Sequence, residues 1–455
     1  MQIKNAWRLM VMAVVLTILS ISAVPSVSAM GLRPPWPDGL EDKYNVSEID
    51  PSTGKQMIHV EGTPYERGFA IGYEFPEETM RNCSNEYYIA VVKVMMGDWV
   101  EPLTNFDRLV EFVKEAVLKA TKVHKCQIPD EYMEEMEGIV DGVKRAKPFA
   151  DFELDDILML NLSIDVITSI QGDILDFLGI PSSLLYTSCH GFVATGNATI
   201  DGRTIMGRHF MFPPEVFNET CLVIEHVPDN GYPFVSITPP GYVGVTSAMN
   251  NQGIGIGMDV LLGAPTNYWQ VGMGRLMLAR DVIQYAGSLD DAVLMMRSAD
   301  IGSGNIFIIG DGAGDGAIIE CHADAVAVRY LDATYDNADY NDPDNQQEQI
   351  EDKSDLALVA NHAVVPEIAN ESAGRGDSLV RYETLCGLLL DSYGSLDTDN
   401  SRDIIDFLHP PSWYYGDDVN QPVAASVTLF DLTSRELWSL YGNYSDPWVH
   451  HRLDY

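Results

Sequence analysis

The sequence predicts an α+β protein in which antiparallel sheets are covered by helices. From about Tyr87 to Val166 apolar residues recur at helical spacing, whereas after Cys189 short apolar runs alternate with Gly, Asn and Asp. Helices and strands thus occur in separate runs without regular βαβ alternation, which is typical of α+β domains. The chain has 455 residues and 46% hydrophobic composition, enough to bury a large core.

The N-terminus has the features of an export signal. Lys4 and Arg8 precede an apolar run from about Leu9 to Val24, and Val27-Ser28-Ala29 follows as a small-residue cleavage site. We therefore exclude residues 1–29 from the fold and expect a secreted or cell-surface protein. An uncleaved membrane anchor is the alternative, although the apolar run is shorter than the ~20 residues that span a bilayer.

Residues 30–188 predict a mostly helical segment. The stretches "RLVEFVKEAVLKATKVH" and "EYMEEMEGIVDGVKRA" each place apolar residues on one helix face, which is typical of helices that pack on a core. The faces consist of Leu109, Val110, Val113, Ala116, Val117 and Ala120 in the first stretch, and of Met133, Met136, Ile139, Val140 and Val143 in the second.

After Cys189 the sequence predicts strands interrupted by two helices. The predicted strands lie in "TIMGRHF", "CLVIEHV", "PFVSIT", "VGVTSAM", "GIGIGMDV", "NIFIIGDGAGDGAIIEC", "AVAVRYLD", "LALVAN" and "ASVTLFDLTSRELWSLYG". The helices are predicted at Gly274–Ala286 and Ser288–Ser298, and Ser288 is placed to cap the second through Asp291.

The composition is strongly acidic, with a formal net charge of -39. Such a surface repels nucleic-acid phosphates and anionic lipid, so we expect no nucleic-acid partner and no stable membrane insertion after signal cleavage. The densest acidic stretch, residues 331–355, predicts an exposed loop. Calcium binding is the alternative there, but the spacing of its aspartates does not follow an EF-hand loop.

The six cysteines are scattered rather than clustered. No C-x-x-C pair or Cys/His spacing indicates a zinc site, and we expect neither a metal nor an organic cofactor. Cys83 and Cys126 could form a disulfide in an exported protein, because both flank predicted helices of one segment. Cys189 stands apart because it precedes the first strand in the middle of the chain. A cysteine that becomes N-terminal by cleavage gains an α-amino group, of pKa about 7.7–8.0, as its own base.

The stretch from Cys189 to Phe212 resembles the nucleophile segment of the cysteine-type N-terminal-nucleophile hydrolases. It resembles in particular the acyl-coenzyme A:6-aminopenicillanic acid acyltransferase-like family, which is related to choloylglycine hydrolase and acid ceramidase. Further segments resemble this family in its order: "VEGTPYERGFAIGYEF" with Gly62, Tyr65, Glu66, Gly68 and Gly72, "EEMEGIVDGVKRA" followed by "DILMLNL", "SAMNNQGIGIGM", and "LVANHAVVPE" followed by "GDSLVRYETLCGLL". The resemblance implies a four-layer αββα sandwich made as a precursor. Cleavage between Ser188 and Cys189 would leave an N-terminal chain associated with a catalytic chain, residues 189–455.

The resemblance also implies the catalytic residues. Cys189 would be the nucleophile and the new N-terminus, and Arg208 would lie near its thiol. Asn361 matches the side-chain amide that donates to the oxyanion, and Arg381 matches a helix arginine that supports the site by its charge. The implied activity is hydrolysis or acyl transfer at an amide or thioester bond of a small N-acyl substrate or peptide.

One position departs from the family. Its G-R-N-x-D motif reads Gly207-Arg208-His209-Phe210-Met211 in this chain, so the aspartate expected close to the new α-amino group is missing. We expect His209 to take over its task, because residues two apart on a strand share a face, or another acid such as Asp259 to reach the site. Loss or alteration of the activity is the third possibility.

Two alternatives come from other classes of protein. A papain-like thiol protease would use Cys189, His362 and Asn361, and it predicts no internal cleavage and a cysteine that opens a helix. A non-catalytic exported binding or envelope protein that retains the fold is compatible with the missing aspartate and the acidic surface.

Overall fold

The computed structural model describes residues 33–96, 106–178, 189–212, 214–217, 220–261, 263–331, 355–370, 372, 376–407 and 425–455. The predicted signal peptide, Ser188 and all but the ends of the predicted acidic loop lie outside the described residues. Within the described residues, no helix combines the length and the apolar character needed to cross a membrane.

The strands of the described chain form two sheets. Their bounds are β1 (Tyr44–Val46), β2 (Met57–Gly62), β3 (His190–Gly196), β4 (Gly202–Met211), β5 (Leu222–Pro228), β6 (Phe234–Thr238), β7 (Ser247–Asn250), β8 (Ile254–Val260), β9 (Asn305–Asp311), β10 (Asp315–His322), β11 (Ala325–Tyr330), β12 (Leu356–Val359), β13 (Ala425–Asp431), β14 (Glu436–Leu440) and β15 (Val449–Arg452). The nine-stranded large sheet has the order β1-β2-β5-β6-β7-β8-β9-β10-β11, and the six-stranded small sheet has the order β12-β3-β4-β13-β14-β15. Strand pairs are antiparallel except β2 with β5.

The helices of the described chain cover these sheets. Their bounds are α1 (Pro64–Glu74), α2 (Pro76–Asn82), α3 (Asn85–Met96), α4 (Phe106–His124), α5 (Asp130–Ala146), α6 (Leu154–Leu178), α7 (Pro214–Phe217), α8 (Arg275–Tyr285), α9 (Leu289–Ser298), α10 (Pro366–Ala369), α11 (Gly376–Asp391) and α12 (Thr398–Phe407). Helices α8 and α9 pack on β7 to β10 of the large sheet, and α11 and α12 pack on β4, β12 and β13 of the small sheet. The two sheets contact each other through β3 and β4 against β8 and β9. The predicted four-layer αββα sandwich is therefore confirmed.

Buried apolar side chains fill the layers of this sandwich. A cluster that includes Met206, Ile256 and Ile308 spans the two sheets and the helices on the large sheet. A second cluster, which includes Phe192 and Leu385, lies between the small sheet and its helices. Every residue of β9 and β13 is buried, because both faces of these strands are covered.

Helices α1 and α5 cross at a distance that glycine permits. A Cβ added to Gly68 would lie 2.0 Å from the carbonyl oxygen of Glu135, and one added to Gly138 would lie 2.2 Å from that of Tyr65. Any side chain at either position would clash with the backbone of the other helix. The close crossing gives a physical reason for the glycines in two of the segments that carry the family resemblance.

The N-terminal segment contributes more than helices. Strand β2 pairs in parallel with β5, so residues before Cys189 complete the edge of the large sheet. Helix α1 begins at a capping box in which the hydroxyl of Thr63 accepts from the amide of Glu66, and the Glu66 carboxylate accepts from the amide of Thr63 at 2.9 Å. The mostly helical segment predicted from the sequence is thus joined to the second part of the chain through a shared sheet.

The structure agrees with most predicted elements and shows that two cysteines that could have paired are free. Ser288 caps α9 as predicted, its Oγ accepting from the amide of Asp291 at 3.2 Å. The disulfide between Cys83 and Cys126, which the sequence left open, is not formed: both cysteines are free, with Cys83 buried and Cys126 exposed. Strand β15, at the edge of the small sheet, was not predicted; it is short and alternates half-buried with exposed residues.

Candidate active site

Strands β3 and β4 place Cys189 and Arg208 on the same face of the small sheet. Cys189 directly precedes β3, and Gly191 lies opposite Arg208 in the antiparallel pair. Because side chains alternate along a strand, Cys189, Gly191 and Arg208 share the face that meets the large sheet. The thiol of Cys189 is 6% exposed and donates to the carbonyl oxygen of Met211 at 3.7 Å between the heavy atoms.

Arg208 is buried between the sheets and forms an ion pair across them. Its Nη2 lies 2.8 Å from Oδ1 of Asp259 on β8, and both side chains are 0% exposed. The guanidinium also donates to the carbonyl oxygens of Met258 and His209. A Cβ on Gly257 would lie 2.7 Å from Cδ of Arg208, so glycine at this position leaves the space that the arginine occupies.

Burial and charge act on Asp259 and Arg208 in opposite directions. Burial raises the pKa of Asp259 to about 6, although the positive charges of Arg208 and Arg381 favour the carboxylate. Burial also disfavours the charged guanidinium, but the Asp259 carboxylate and the Cys189 thiol outweigh it and raise the pKa of Arg208. The arginine is thus a permanent cation beside the thiol, while Asp259 titrates in the weakly acidic range.

Asn361 and Arg381 also lie at Cys189. They come from the end of β12 and from α11, whereas Arg208 comes from β4 on the opposite edge of β3. Arg381, on α11, donates through Nη1 to the carbonyl oxygen of Cys189 and through Nη2 to Oδ1 of Asn361 at 3.2 Å. Asn361 follows β12, the strand paired with β3, and its Nδ2 donates to the carbonyl oxygen of Val260 at 2.9 Å. The side chains of Asn361 and Arg381 are 1% and 3% exposed.

The structure therefore brings Cys189, Arg208, Asn361 and Arg381 together, with Asp259 as a fifth member. Arg208 links the thiol to Asp259, and Arg381 links the backbone of Cys189 to Asn361. Neither oxygen of Asp259 accepts a hydrogen bond from the described residues, although the ion pair with Arg208 is short. The carboxyl group of Asp259 can therefore accept a further hydrogen bond.

His209 is not part of this group, contrary to the expectation from the sequence. It lies opposite His190 in the β3–β4 pair, and being adjacent to Arg208 it faces the other side of the sheet. Its Nε2 is 3.2 Å from the hydroxyl of Tyr444, and its ring centroid is 4.9 Å from that of His190. Met211, where the family has aspartate, is buried with apolar neighbours. The carboxylate next to Arg208 comes from Asp259 in the opposite sheet.

His362 is bound to α11. Its Nδ1 lies 2.8 Å from Oγ of Ser378, and its ring centroid lies 5.2 Å from that of Tyr382. Cys189 precedes a strand, whereas the papain-like alternative predicts that it opens a helix. The arrangement therefore does not favour a papain-like pair of Cys189 and His362.

Two buried charged residues near the site were missed by the sequence reasoning. Glu320 on β10 and Arg329 on β11 form an ion pair at 2.9 Å, and both are buried. The available signal was a charge inside each of two otherwise apolar strands, "AIIEC" and "AVAVRY". As for metals, the described residues contain no group of three or more His, Cys, Asp or Glu side chains that could hold an ion.

The chain matches a family model, a relative in sequence and several solved structures. Residues 198–414 match the family model described as acyl-coenzyme A:6-aminopenicillanic acid acyl-transferase. The matched range contains Arg208, Asp259, Asn361 and Arg381 and begins after Cys189. A protein of Archaeoglobus fulgidus described as uncharacterized is 45% identical over 409 residues, which are 89% of this chain and 66% of that protein. The chain thus spans slightly less than two thirds of that relative.

Two solved structures are similar at low sequence identity. One is the Caenorhabditis elegans ortholog of N-acylethanolamine-hydrolyzing acid amidase, 16% identical with a TM-score of 0.39, covering 54% of this chain and 93% of its own. The other is penicillin V acylase from Agrobacterium tumefaciens, 13% identical with a TM-score of 0.37, covering 56% of this chain and 83% of its own.

Proposed function

We propose that the protein is a cysteine-nucleophile amide hydrolase or acyltransferase. Residues 198–414 match the family model described as acyl-coenzyme A:6-aminopenicillanic acid acyl-transferase, which agrees with the resemblance that the sequence motifs indicated. The protein acts on amide or thioester bonds of a small N-acyl substrate or peptide, after cleaving its own chain before Cys189. The observation that carries the proposal is the convergence on Cys189 of Arg208 with Asp259 and of Asn361 with Arg381.

The first step of the proposed mechanism is self-cleavage. The Cys189 thiolate attacks the carbonyl carbon of Ser188, and the peptide C–N bond breaks as the C–S bond of a thioester forms. The nitrogen takes up the proton that the thiol lost and becomes the α-amino group of Cys189. Water then hydrolyses the thioester, which leaves a carboxylate on Ser188 and restores the thiol. The two chains stay associated, because β2 of the first is paired with β5 of the second.

In the second step the same thiol acts on the substrate. The α-amino group accepts the thiol proton, and the thiolate attacks the acyl carbon of the substrate. The second hydrogen on Nδ2 of Asn361, the one that does not bond to Val260, donates to the oxyanion. The ammonium group then protonates the leaving group, which is an amine from an amide substrate and a thiolate from a thioester. The acyl-thioester finally passes its acyl group to water, or to an acceptor amine in the case of transfer.

Three charged side chains support these steps. Arg208 stabilises the thiolate by its charge, and Arg381 holds the carbonyl oxygen of Cys189 so that the new N-terminus keeps its position. Asp259 supplies the carboxylate that is missing at Met211. It accepts from the ammonium group and keeps Arg208 in place. In its ionised form it stabilises the charged intermediate, and this requires a pH above its pKa.

The proposal includes an export route. The predicted signal in residues 1–29 directs the chain out of the cytoplasm, and the mature protein is secreted or held at the cell surface without a metal or organic cofactor. No nucleic acid is a partner, because the net charge of -39 repels it. A non-catalytic binding protein with the same fold is the second candidate, and the buried methionine at position 211, where an aspartate was expected, favours it. A papain-like protease is less well supported, because Cys189 precedes a strand and does not open a helix.

Mass analysis of the purified protein tests the proposal. Wild type should give two polypeptides, the second beginning at Cys189, and should release aminocoumarin from phenylacetyl or decanoyl aminocoumarin amide. Cys189→Ala should remain one inactive chain. A single wild-type chain that is active overturns the self-cleavage mechanism, and a single chain that is inactive favours the binding protein.

A further inference from the structure

The buried pair of Glu320 and Arg329 lies where the two sheets meet beside the candidate active site. Nε of Arg329 donates to Oε1 of Glu320 at 2.9 Å, and the two side chains are 0–1% exposed. Arg329 lies on β11, the edge strand of the large sheet, and Glu320 lies on the neighbouring strand β10. A buried ion pair requires further hydrogen bonds to offset its loss of solvation, so its remaining partners indicate what it does.

The carboxylate of Glu320 also accepts hydrogen bonds from backbone amides that follow Asn361. The amide of Val364 donates to Oε1 at 3.0 Å and to Oε2 at 2.9 Å, and the amide of Val365 donates to Oε2 at 2.9 Å. These residues end the turn that starts at Asn361 and immediately precede α10. Two backbone donors at one carboxylate fix both the position and the direction of this turn.

The guanidinium of Arg329 ties the same turn to its flanks. Its Nη2 donates to the carbonyl oxygen of Leu358 on β12, at 3.2 Å, just before the turn begins. It also bonds to the hydroxyl of Tyr382, the residue next to Arg381 on α11. The pair therefore contacts the strand before the turn, the end of the turn, and the helix that carries Arg381.

We propose that Glu320 is a positioning residue for the reaction: with Arg329 it fixes the Asn361–Val365 turn, and thereby the direction in which Nδ2 of Asn361 points. The proposal rests on the function proposed above, in which that amide donates to the oxyanion. Glu320 touches neither the thiol nor the substrate, so it acts only through Asn361. A misplacement of about 1 Å in such a group can cost on the order of 100-fold in rate.

The chain contains a matched control for burial and charge. Glu135 on α5 is 1% exposed and accepts from Arg67 at 2.9 Å and from Arg280 at 3.1 Å. Its arginine partners lie on α1 and α8, and none of these residues contributes a bond to the Asn361 turn. Glu135→Gln therefore disturbs a comparable buried pair without disturbing the turn.

The experiment compares Glu320→Gln with Glu135→Gln. Glutamine keeps the shape of the side chain, but its NH₂ group faces amide donors and cannot accept from them. In Glu320→Gln we expect hydrogen exchange of the Val364 and Val365 amides to rise at least tenfold, and kcat for an acyl aminocoumarin amide to fall by about 100-fold with KM within twofold. Glu135→Gln should keep both the exchange rates and kcat.

The outcomes separate the two proposals. Unchanged exchange at Val364 and Val365 in Glu320→Gln overturns the positioning role, whether or not the protein is active. Raised exchange with kcat equal to that of Glu135→Gln overturns it as well. If wild type turns over no acyl amide at all, the proposed function fails, and raised exchange in Glu320→Gln alone still supports Glu320 as the residue that fixes the turn.

Discussion

Nη2 of Arg208 lies 2.8 Å from Oδ1 of Asp259, with one residue on β4 of the small sheet and the other on β8 of the large sheet. The two strands are not neighbours in a sheet, so the ion pair exists only because the sheets stack face to face. It places a carboxylate near Cys189 although the family position for it, 211, holds methionine. The site therefore depends on the packing of the sandwich as well as on the motif that contains the nucleophile.

The pH dependence of activity should report the ionisation of Asp259. Burial raises its pKa from 3.8 to about 6, so the carboxylate that pairs with Arg208 forms as the pH rises through about 6. We expect kcat to rise over this range, and Asp259→Asn to lose this acidic limb together with about 100-fold or more in kcat. The measurement is kcat between pH 4.5 and 8.5 for both proteins, and an unchanged acidic limb in the variant would exclude Asp259 as its source.

The ionisation of Asp259, which should raise kcat as the pH rises, should lower the stability of the folded protein over the same range. Because the pKa of this carboxyl is higher in the folded state, it contributes stability that is present below about pH 4 and is lost as the pH rises through about 6. Asp259→Asn lacks this contribution. The Tm of wild type, relative to that of the variant, should therefore be lower at pH 7 than at pH 4. Thermal unfolding at pH 4 and pH 7 measures it.

Asn361 should be required for its amide donor rather than for its contact with Arg381. Asn361→Asp keeps an acceptor for Arg381 but loses the NH₂ group, whereas Asn361→Ala loses both. We expect both variants to lose about 100-fold to 1000-fold in kcat, as is typical when one oxyanion donor is removed. Near-wild-type kcat in Asn361→Asp would show that the donor is not used.

The sequence predicted those features that depend on the residues of a single strand or helix. Helical spacing predicted α4 and α5, and Ser288 predicted the start of α9. Asp259 could be named only as one alternative source of the missing carboxylate. Its distance from Arg208 depends on how the two sheets stack, and the sequence does not show which strands of the two sheets face each other. The side of His209 depends on the register of β3 with β4, in which it lies opposite His190 and away from the Cys189 face. Alternation along β4 alone does not give that register.

Alkylation should distinguish Cys189 from the other cysteines. Burial raises the pKa of Cys221 and Cys321 to about 12 and that of Cys386 to about 11, so these thiols are protonated and inert near neutral pH. Cys126 is exposed and will also react, so Cys126→Ser is the background for the experiment. In this background, iodoacetamide should modify Cys189 and abolish activity in parallel. Cys221→Ser and Cys321→Ser should stay active, and loss of activity in either would mean that the nucleophile is misassigned.

The crossing of α1 and α5 should not tolerate a methyl group. Gly68→Ala would place Cβ 2.0 Å from the carbonyl oxygen of Glu135, and the helices would have to move apart. Overpacking of this kind typically costs about 1–3 kcal/mol, so Tm should fall by several degrees. Gly387→Ala on α11 is the control: its Cβ meets nothing within 4 Å, and alanine in a helix is favoured by about 1 kcal/mol. A Tm for Gly68→Ala equal to that of wild type would contradict the close crossing.

His209 should matter for stability and not for the chemistry. Its imidazole is fully buried on the face of β4 opposite Arg208, with Nε2 3.2 Å from the Tyr444 hydroxyl. Removing the ring leaves a cavity that costs a few kcal/mol, so His209→Ala should unfold at a clearly lower Tm. The groups around Cys189 are unchanged, and we expect cleavage before Cys189 and kcat to stay within about threefold of wild type at a temperature where the variant is folded. Tyr444→Phe, which removes only the hydroxyl, should show the same pattern with a smaller fall in Tm. Asp259→Asn should show the reverse, a large loss of kcat. If His209→Ala instead lost 100-fold in kcat with Tm unchanged, the histidine would carry the role that the sequence assigned to it, and Asp259 would not.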